Sequence, residues 1–99
     1  MNCLRRWESM YELIITSRCK KDIAVMKKRG ASLKRLKRVF DILIAGEVLE
    51  EKCRDHALKG TYTGFRECHI APDWLLIYKI HDKALIITAI RTGSHSDLF

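Results

Sequence analysis

Two histidines and an aspartate carry the chemistry of the C-terminal half: His69 and Asp73 in RECHIAPDW, and His95 in RTGSH. Imidazole titrates near neutrality, so histidine serves equally as proton donor or acceptor. Arg66 and Arg91 flank this set, and the forked guanidinium group matches the geometry of a phosphate. Together they suit cleavage of RNA by attack of a ribose 2′-hydroxyl on the adjacent phosphate. That reaction needs a base, an acid and cationic stabilisation of the added negative charge. Trp74 and Phe99 add aromatic faces on which a base can stack, at roughly 1–3 kcal/mol per base. Each of these residues also has a purely structural reading. Trp74 opens an apolar strand and can be packing alone, His69 can be a satisfied edge histidine, and Phe99 can be a tail docked on the core.

These residues need elements to hold them. YELIITS (11–17) is rich in β-branched residues and predicts a short first strand. Ser17 is a suitable N-cap for a first helix that ends near Gly30. Cys19, Ile23 and Met26 fall on one face of that helix. Ser32 opens a second helix, with Leu33, Leu36, Phe40 and Leu43 forming its buried stripe and Gly46 closing it. Residues 47–60 are charged and irregular. Three strand signals follow, TYTGFRECHI, WLLIYKI and ALIITAIR, joined by the short turns APD and HDK. The expected architecture is β-α-α-β-β-β, of α+β class: two helices packed on a twisted, mainly antiparallel four-stranded sheet.

A meander of this kind fixes which residues can meet. Alternate strands run the same way, so His69, Asp73 and the stretch Arg91 to His95 share one end of the sheet. His81, in the HDK turn, falls at the opposite end and reads as a solvated turn residue. His56 precedes the second strand and would start at the wrong end. The residues from His56 to Tyr62, at up to ~3.3–3.6 Å each, can nevertheless run back along most of that strand. Topology therefore permits His56 at the site without requiring it. Alternation along the strand puts Phe65, Glu67 and His69 on one face and Arg66, Cys68 and Ile70 on the other. Cys68 and His69 then point apart, which weakens a zinc site built from Cys53, His56, Cys68 and His69. No cysteine sits in an activating motif, and no metal or other cofactor is expected.

Ninety-nine residues, 47% of them hydrophobic, make one domain with a single core. The first residues, MNCLRRWES, lack the apolar run of a secretory signal, and ALIITAI is far too short to span a bilayer. The scattered Cys3, Cys19, Cys53 and Cys68 read as reduced thiols in a cytoplasm. The net charge of +7 is uneven: residues 18–38 hold ten Lys/Arg against one Asp, whereas residues 39–55 hold five acids against two bases. A concentrated basic segment suits a polyanion or an acidic protein, although lysine-rich helices are also common as solvated faces.

The compound pattern D-H-x-L-x-G, G-x-R-x-x-H-I-x-P-D-W and R-T-G-[ST]-H, read in DHALKGTYTGFRECHIAPDWLLIYKI and RTGSHSDLF, closely resembles the YafQ-type branch of the RelE/ParE toxin superfamily. The resemblance spans residues 10–99 and is dense from Asp55 to Phe99. It implies a ribonuclease toxin of a type II toxin–antitoxin pair that cuts mRNA without a metal, typically in the ribosomal A site, and is held inactive by a cognate antitoxin. Catalytic positions carry over onto His56, His69, Asp73 and His95, so His56 is expected to fold back into the site. Arg66, Trp74, Arg91 and Phe99 carry over as RNA-contacting or supporting positions. On that basis His95 is the expected general acid, with Asp73 and His69 on the 2′-hydroxyl side and His56 orienting groups or sharing the base role.

Some features depart from the pattern. Residues 1–9 precede the usual start of the fold, which makes Met10 a candidate initiator. DHAL carries alanine where proline is common, and a chain ending at Phe99 sets a carboxylate beside the expected RNA contact. Two other classes stand beside the ribonuclease: a ParE-like toxin acting on DNA gyrase, and a non-catalytic RNA-binding module. The first does not require His69, Asp73 and His95 together, and charge alone would favour the second.

Overall fold

The structure is a computed structural model that describes residues 11–99. The expected extension at residues 1–9, the candidate start at Met10 and the thiol of Cys3 lie outside the described residues. The elements are β1 (Glu12–Ile15), α1 (Ser17–Lys28), α2 (Leu33–Ile44), β2 (His56–Ala57), β3 (Arg66–Ala71), β4 (Trp74–His81), β5 (Ile86–Gly93) and α3 (His95–Leu98). Two single 3-10 turns, Glu51–Cys53 and Gly60–Tyr62, bracket β2.

The α+β class and the β3–β4–β5 meander agree with the sequence reading, but the sheet has five strands, ordered β1-β5-β4-β3-β2. The added strand is the two-residue β2, which pairs antiparallel with β3 through His56 opposite Glu67 and Ala57 opposite Arg66. Its outward-facing residues carry no apolar alternation, so nothing in the sequence marks it as a strand. β1 joins the other edge in parallel with β5, which makes the sheet mixed. The TYTGFRECHI strand begins only at Arg66, because Gly60–Tyr62 forms a 3-10 turn and Gly64 has φ +96°.

The N-cap of α1 is Thr16 rather than Ser17: its side-chain oxygen accepts from the Cys19 N–H at 3.0 Å. At the other end Gly30, with φ +84°, donates to the Lys27 carbonyl at 3.0 Å while Ala31 donates to Met26 at 3.0 Å. That closure of the last turn needs a left-handed residue, which glycine supplies without steric cost. Helix α2 buries Leu36, Val39, Phe40 and Leu43 as one stripe, with Leu33 half-buried at its start.

Both helices pack on one face of the sheet, where Cys19, Met26 and the α2 stripe meet Cys68, Ile70, Trp74, Leu76, Tyr78, Ile87 and Ala89. On the other face Leu75, Ile77 and Leu98 form a smaller cluster, edged by Leu58, Tyr62, Phe65 and Ile90. The central strand β4 is covered on both sides, which is why Trp74–Tyr78 is an unbroken apolar run instead of an alternating one. Among the described residues no helix is long and apolar enough to cross a membrane.

Candidate active site

The second face of the sheet carries the titratable residues, arranged in two rows that cross the strands. In the first row His69 stands opposite Leu75, which stands opposite Gly93. In the second His56 pairs with Glu67, Glu67 with Ile77, and Ile77 with Arg91. At ~4.8 Å between strands, the second row spans roughly 14 Å between its end Cα atoms. Leu75 and Ile77 form an apolar floor between the imidazoles on one side and Arg91 on the other.

Beyond the first row the chain folds over this floor. Asp73, in the turn between β3 and β4, accepts a hydrogen bond at Oδ1 from the His95 backbone N–H at 3.2 Å. His95 opens α3, a single turn held by reciprocal caps: the Asp97 N–H donates to Ser94 Oγ at 3.2 Å, and the Ser94 N–H donates to Asp97 Oδ2 at 2.8 Å. Arg29, at the end of α1, grips the same carboxylate with Nη1 at 2.6 Å and Nη2 at 3.2 Å. The Arg29 guanidinium, followed by the Ser94 backbone and hydroxyl, holds the Asp97 carboxyl well below the usual range. Leu98 plugs the floor, while Phe99 stays 55% exposed with its ring 5.1 Å from that of His95 and edge-on to Tyr62 at 5.7 Å. His69, Asp73 and His95 therefore share one rim, as the meander requires.

His56 reaches the same face, which topology alone left undecided. Arg54 adopts φ +49° after the Glu51–Cys53 turn and swings the chain back along β3. Its carbonyl accepts from His56 Nδ1 at 2.6 Å, so that nitrogen carries the proton and Nε2 faces Glu67 Oε1 at 3.6 Å. Glu67 is only 6% exposed. Sequence reasoning gave this carboxylate no role, although strand alternation already set it beside His69.

Arg91 joins the row through a β-bulge. Ile77 pairs with Arg91, but Tyr78 pairs with Ala89, so Ile90 is an extra residue that turns Arg91 onto the side of Ile77. Asp22 of α1 then binds it, at 2.7 Å to Nε and 3.3 Å to Nη2, and also accepts from the Thr92 N–H at 3.2 Å. That ion pair raises the Arg91 pKa further. Asp22 carried no signal in the sequence, because it sits alone within a basic helix.

Two expected RNA contacts lie elsewhere. Arg66 registers with Tyr78 and shares its helix-side face, away from His69, as the period of two along a strand demands. There it binds Asp55 through Nε at 3.3 Å and Nη2 at 3.2 Å, and the Tyr78 hydroxyl donates to the same Asp55 carboxylate. Burial and that carboxylate push the Tyr78 pKa up. Arg66 therefore anchors the segment leading to His56 and is not a clamp at the rim. Trp74 is 3% exposed; its Nε1 donates to Thr92 Oγ1 at 2.8 Å, and Thr92 Oγ1 donates to the Leu75 carbonyl at 2.6 Å. Neither ring face is free to stack on a base, so Trp74 tightens β4 against β5 beside Asp73. Cys68 is fully buried on the helix side while His69 faces the floor, and burial pushes the Cys68 thiol up.

The chain and its fold have counterparts among known proteins. Residues 11–99 match the family described as the bacterial toxin of type II toxin–antitoxin system, YafQ. The chain is 40% identical over 80 residues to the mRNA interferase toxin YafQ of Escherichia coli strain K12, covering 80% of this chain and 85% of that protein. It superposes on the toxin of the E. coli DinJ-YafQ toxin–antitoxin complex with a TM-score of 0.82 and 33% identity, covering 91% of this chain and 98% of that one. A metal-bound toxin from Helicobacter pylori superposes with a TM-score of 0.85 and 39% identity, covering 91% of this chain and all of that one (100%). A chain with this fold, and with a family match over every described residue, belongs to the YafQ family of type II toxin–antitoxin toxins.

Proposed function

We propose that this chain is an mRNA interferase, a toxin that cleaves mRNA through attack of a ribose 2′-hydroxyl on the neighbouring phosphate. The observation that carries this reading is the convergence of His69, Asp73 and His95 at one rim, across an apolar floor from Arg91. A nucleotide step lying over Leu75 and Ile77 has imidazole and carboxylate groups on both flanks. In this reading His69 and Asp73 withdraw the 2′-hydroxyl proton, Arg91 offsets the charge that builds on the phosphate, and His95 protonates the departing 5′-oxygen. His56, oriented by Arg54 and faced by Glu67, shares the base side. The exposed ring of Phe99 stacks on a base beside His95. The products are a 2′,3′-cyclic phosphate, or its opened 3′-phosphate, and a 5′-hydroxyl.

None of these steps calls for a metal, so cleavage is expected to persist in chelator. The partners in this reading are mRNA, the ribosomal A site and a cognate antitoxin that neutralises the toxin. The gyrase and RNA-binding alternatives predict no RNA cutting. Incubating the purified protein with labelled RNA, with and without chelator and ribosomes, tests all three. Fragments ending in a cyclic or 3′-phosphate are expected, and their loss in His95→Ala and Asp73→Ala is required. Wild-type cutting by both variants would sink the site, and binding without cutting would leave an RNA-binding module.

A further inference from the structure

The basic segment read from the sequence is not uniform in space. Beyond the pair of His56, the first residue of β2, with Glu67, residues 68–71 of β3 have no strand neighbour on that side, and a cleft opens there between α2 and the Glu51–Cys53 turn. Its volume is about 730 Å³, within the ~300–1,000 Å³ range of small-ligand sites. Arg35 and Arg38 line it from α2, with Lys52 and Arg54 on the opposite wall. Glu50 is the one carboxylate in the lining and is shared between Arg38 at 3.4 Å and Lys52 at 3.6 Å. Among the described residues Arg35 and Arg54 have no carboxylate partner. Val39, Ile42, Ile70 and Pro72 supply apolar lining. His69 borders this cleft as well as the reaction floor, because it stands on the exposed edge where the two faces of the sheet meet.

We infer that the cleft is a second RNA subsite, which holds a nucleotide flanking the scissile step. The phosphate lies between the arginines and the base rests on the apolar lining by Ile70 and Pro72. The inference builds on the ribonuclease reading and adds a path for the strand: over the floor, past His69 and into the cleft. Charge alone would equally attract an acidic peptide. The shared wall at His69 favours RNA, because an occupant of the cleft is then continuous with the reacting strand.

The test uses an RNA oligomer blocked at every 2′-position by O-methyl groups, with binding followed by fluorescence anisotropy. Arg35→Glu combined with Arg38→Glu changes two exposed side chains and is expected to keep the wild-type melting temperature. This variant should bind the oligomer at least tenfold more weakly. Its plot of log affinity against log salt should be shallower by about 0.7 for each phosphate that is no longer neutralised. With unmodified RNA, KM should rise while kcat at saturation stays within about twofold. Lys20→Glu with Lys21→Glu, an equal charge change on the exposed face of α1, should cost less. An unchanged dissociation constant, or equal losses from both double variants, overturns the subsite. So does a variant that keeps RNA affinity and loses only its grip on the antitoxin, which would make the cleft a protein-binding surface. If the wild type binds the blocked oligomer but cuts unmodified RNA neither with nor without ribosomes, the ribonuclease reading fails, and the anisotropy comparison still decides the cleft.

Discussion

The His95 backbone N–H donates to Asp73 Oδ1 across 3.2 Å, so the turn that follows β3 is tied directly to the helix that follows β5. Asp73 therefore holds α3 in place, and in the proposed reaction it also takes part in proton transfer. Asp73→Asn keeps an oxygen that accepts the same bond but removes the titratable group. Asp73→Ala removes both. If proton transfer is the larger role, both variants lose about 10²–10⁴-fold in RNA cleavage, the range for a positioned acid–base group. Asn activity near wild type would assign Asp73 to positioning alone.

Asp22 and Arg91 form a partly buried pair, with side chains 12% and 20% exposed. Asp22→Asn leaves a half-buried guanidinium with weaker acceptors and is expected to cost about 2 kcal/mol in chemical denaturation, the scale of a charged hydrogen bond. Cleavage should fall with it, and Asp22→Glu should recover part of the loss. Full activity in Asp22→Asn would show that Arg91 needs no such anchor.

Gly93 is the residue on which α3 is seated. A Cβ there would stand 3.0 Å from Asp97 Cβ and 3.0 Å from its Oδ2, both held in place by Ser94 and Arg29. Gly93→Ala is expected to shift α3, and with it His95. A displacement near 1 Å is enough to cost about 10²-fold in rate. The melting temperature should change little, because the main core lies on the other face. Kinetics and a melt on the same sample check this, and an unaltered rate would mean that α3 adapts.

Acid should loosen the same helix. The Asp97 carboxyl is held below its ordinary pKa of 3.8 by Arg29 and the Ser94 cap, so its stabilisation is present above that pH and is lost as pH falls below it. Asp97→Asn should therefore melt lower than wild type at pH 6, and the gap should begin to narrow only below about pH 3.8 and shrink further towards pH 2. Because the Arg29 pair is exposed, salt should narrow the gap as well. A gap that does not narrow at all between pH 6 and pH 2 would rule out this origin.

Cysteine labelling reports on the helix-side core. Cys19 is fully buried and its thiol is pushed up to about 12, first by burial and then by the Asp22 carboxylate. Cys68 is fully buried too, whereas Cys53 is half-buried. Iodoacetamide at pH 8 should modify Cys53 in the native protein and spare Cys19 and Cys68 until denaturant is added. Peptide mapping identifies each site, and native labelling of Cys19 would indicate that α1 opens.

The sequence by itself determined the α+β class, both helices, the β3–β4–β5 meander and the family, because these rest on local periodicity, turn residues and a dense motif. It also determined that His69, Asp73 and His95 share a rim, since alternate strands of a meander run parallel. Only the tertiary structure decided how the remaining groups are used. β2 exists because Arg54 turns His56 back against Glu67, a pairing across the sheet that two exposed residues do not announce. The bulge at Ile90 turned Arg91 towards the floor, while plain alternation kept Arg66 on the helix side, bound to Asp55. Trp74 ended with its indole N–H on Thr92 because β4 is buried on both faces. Asp22 reached Arg91 from 69 residues away, and Arg29 reached Asp97 from 68. A local pattern reports the pairings that the chain makes with its near neighbours. Contacts that close long loops depend on where packing leaves each side chain, and in this protein those contacts orient the site.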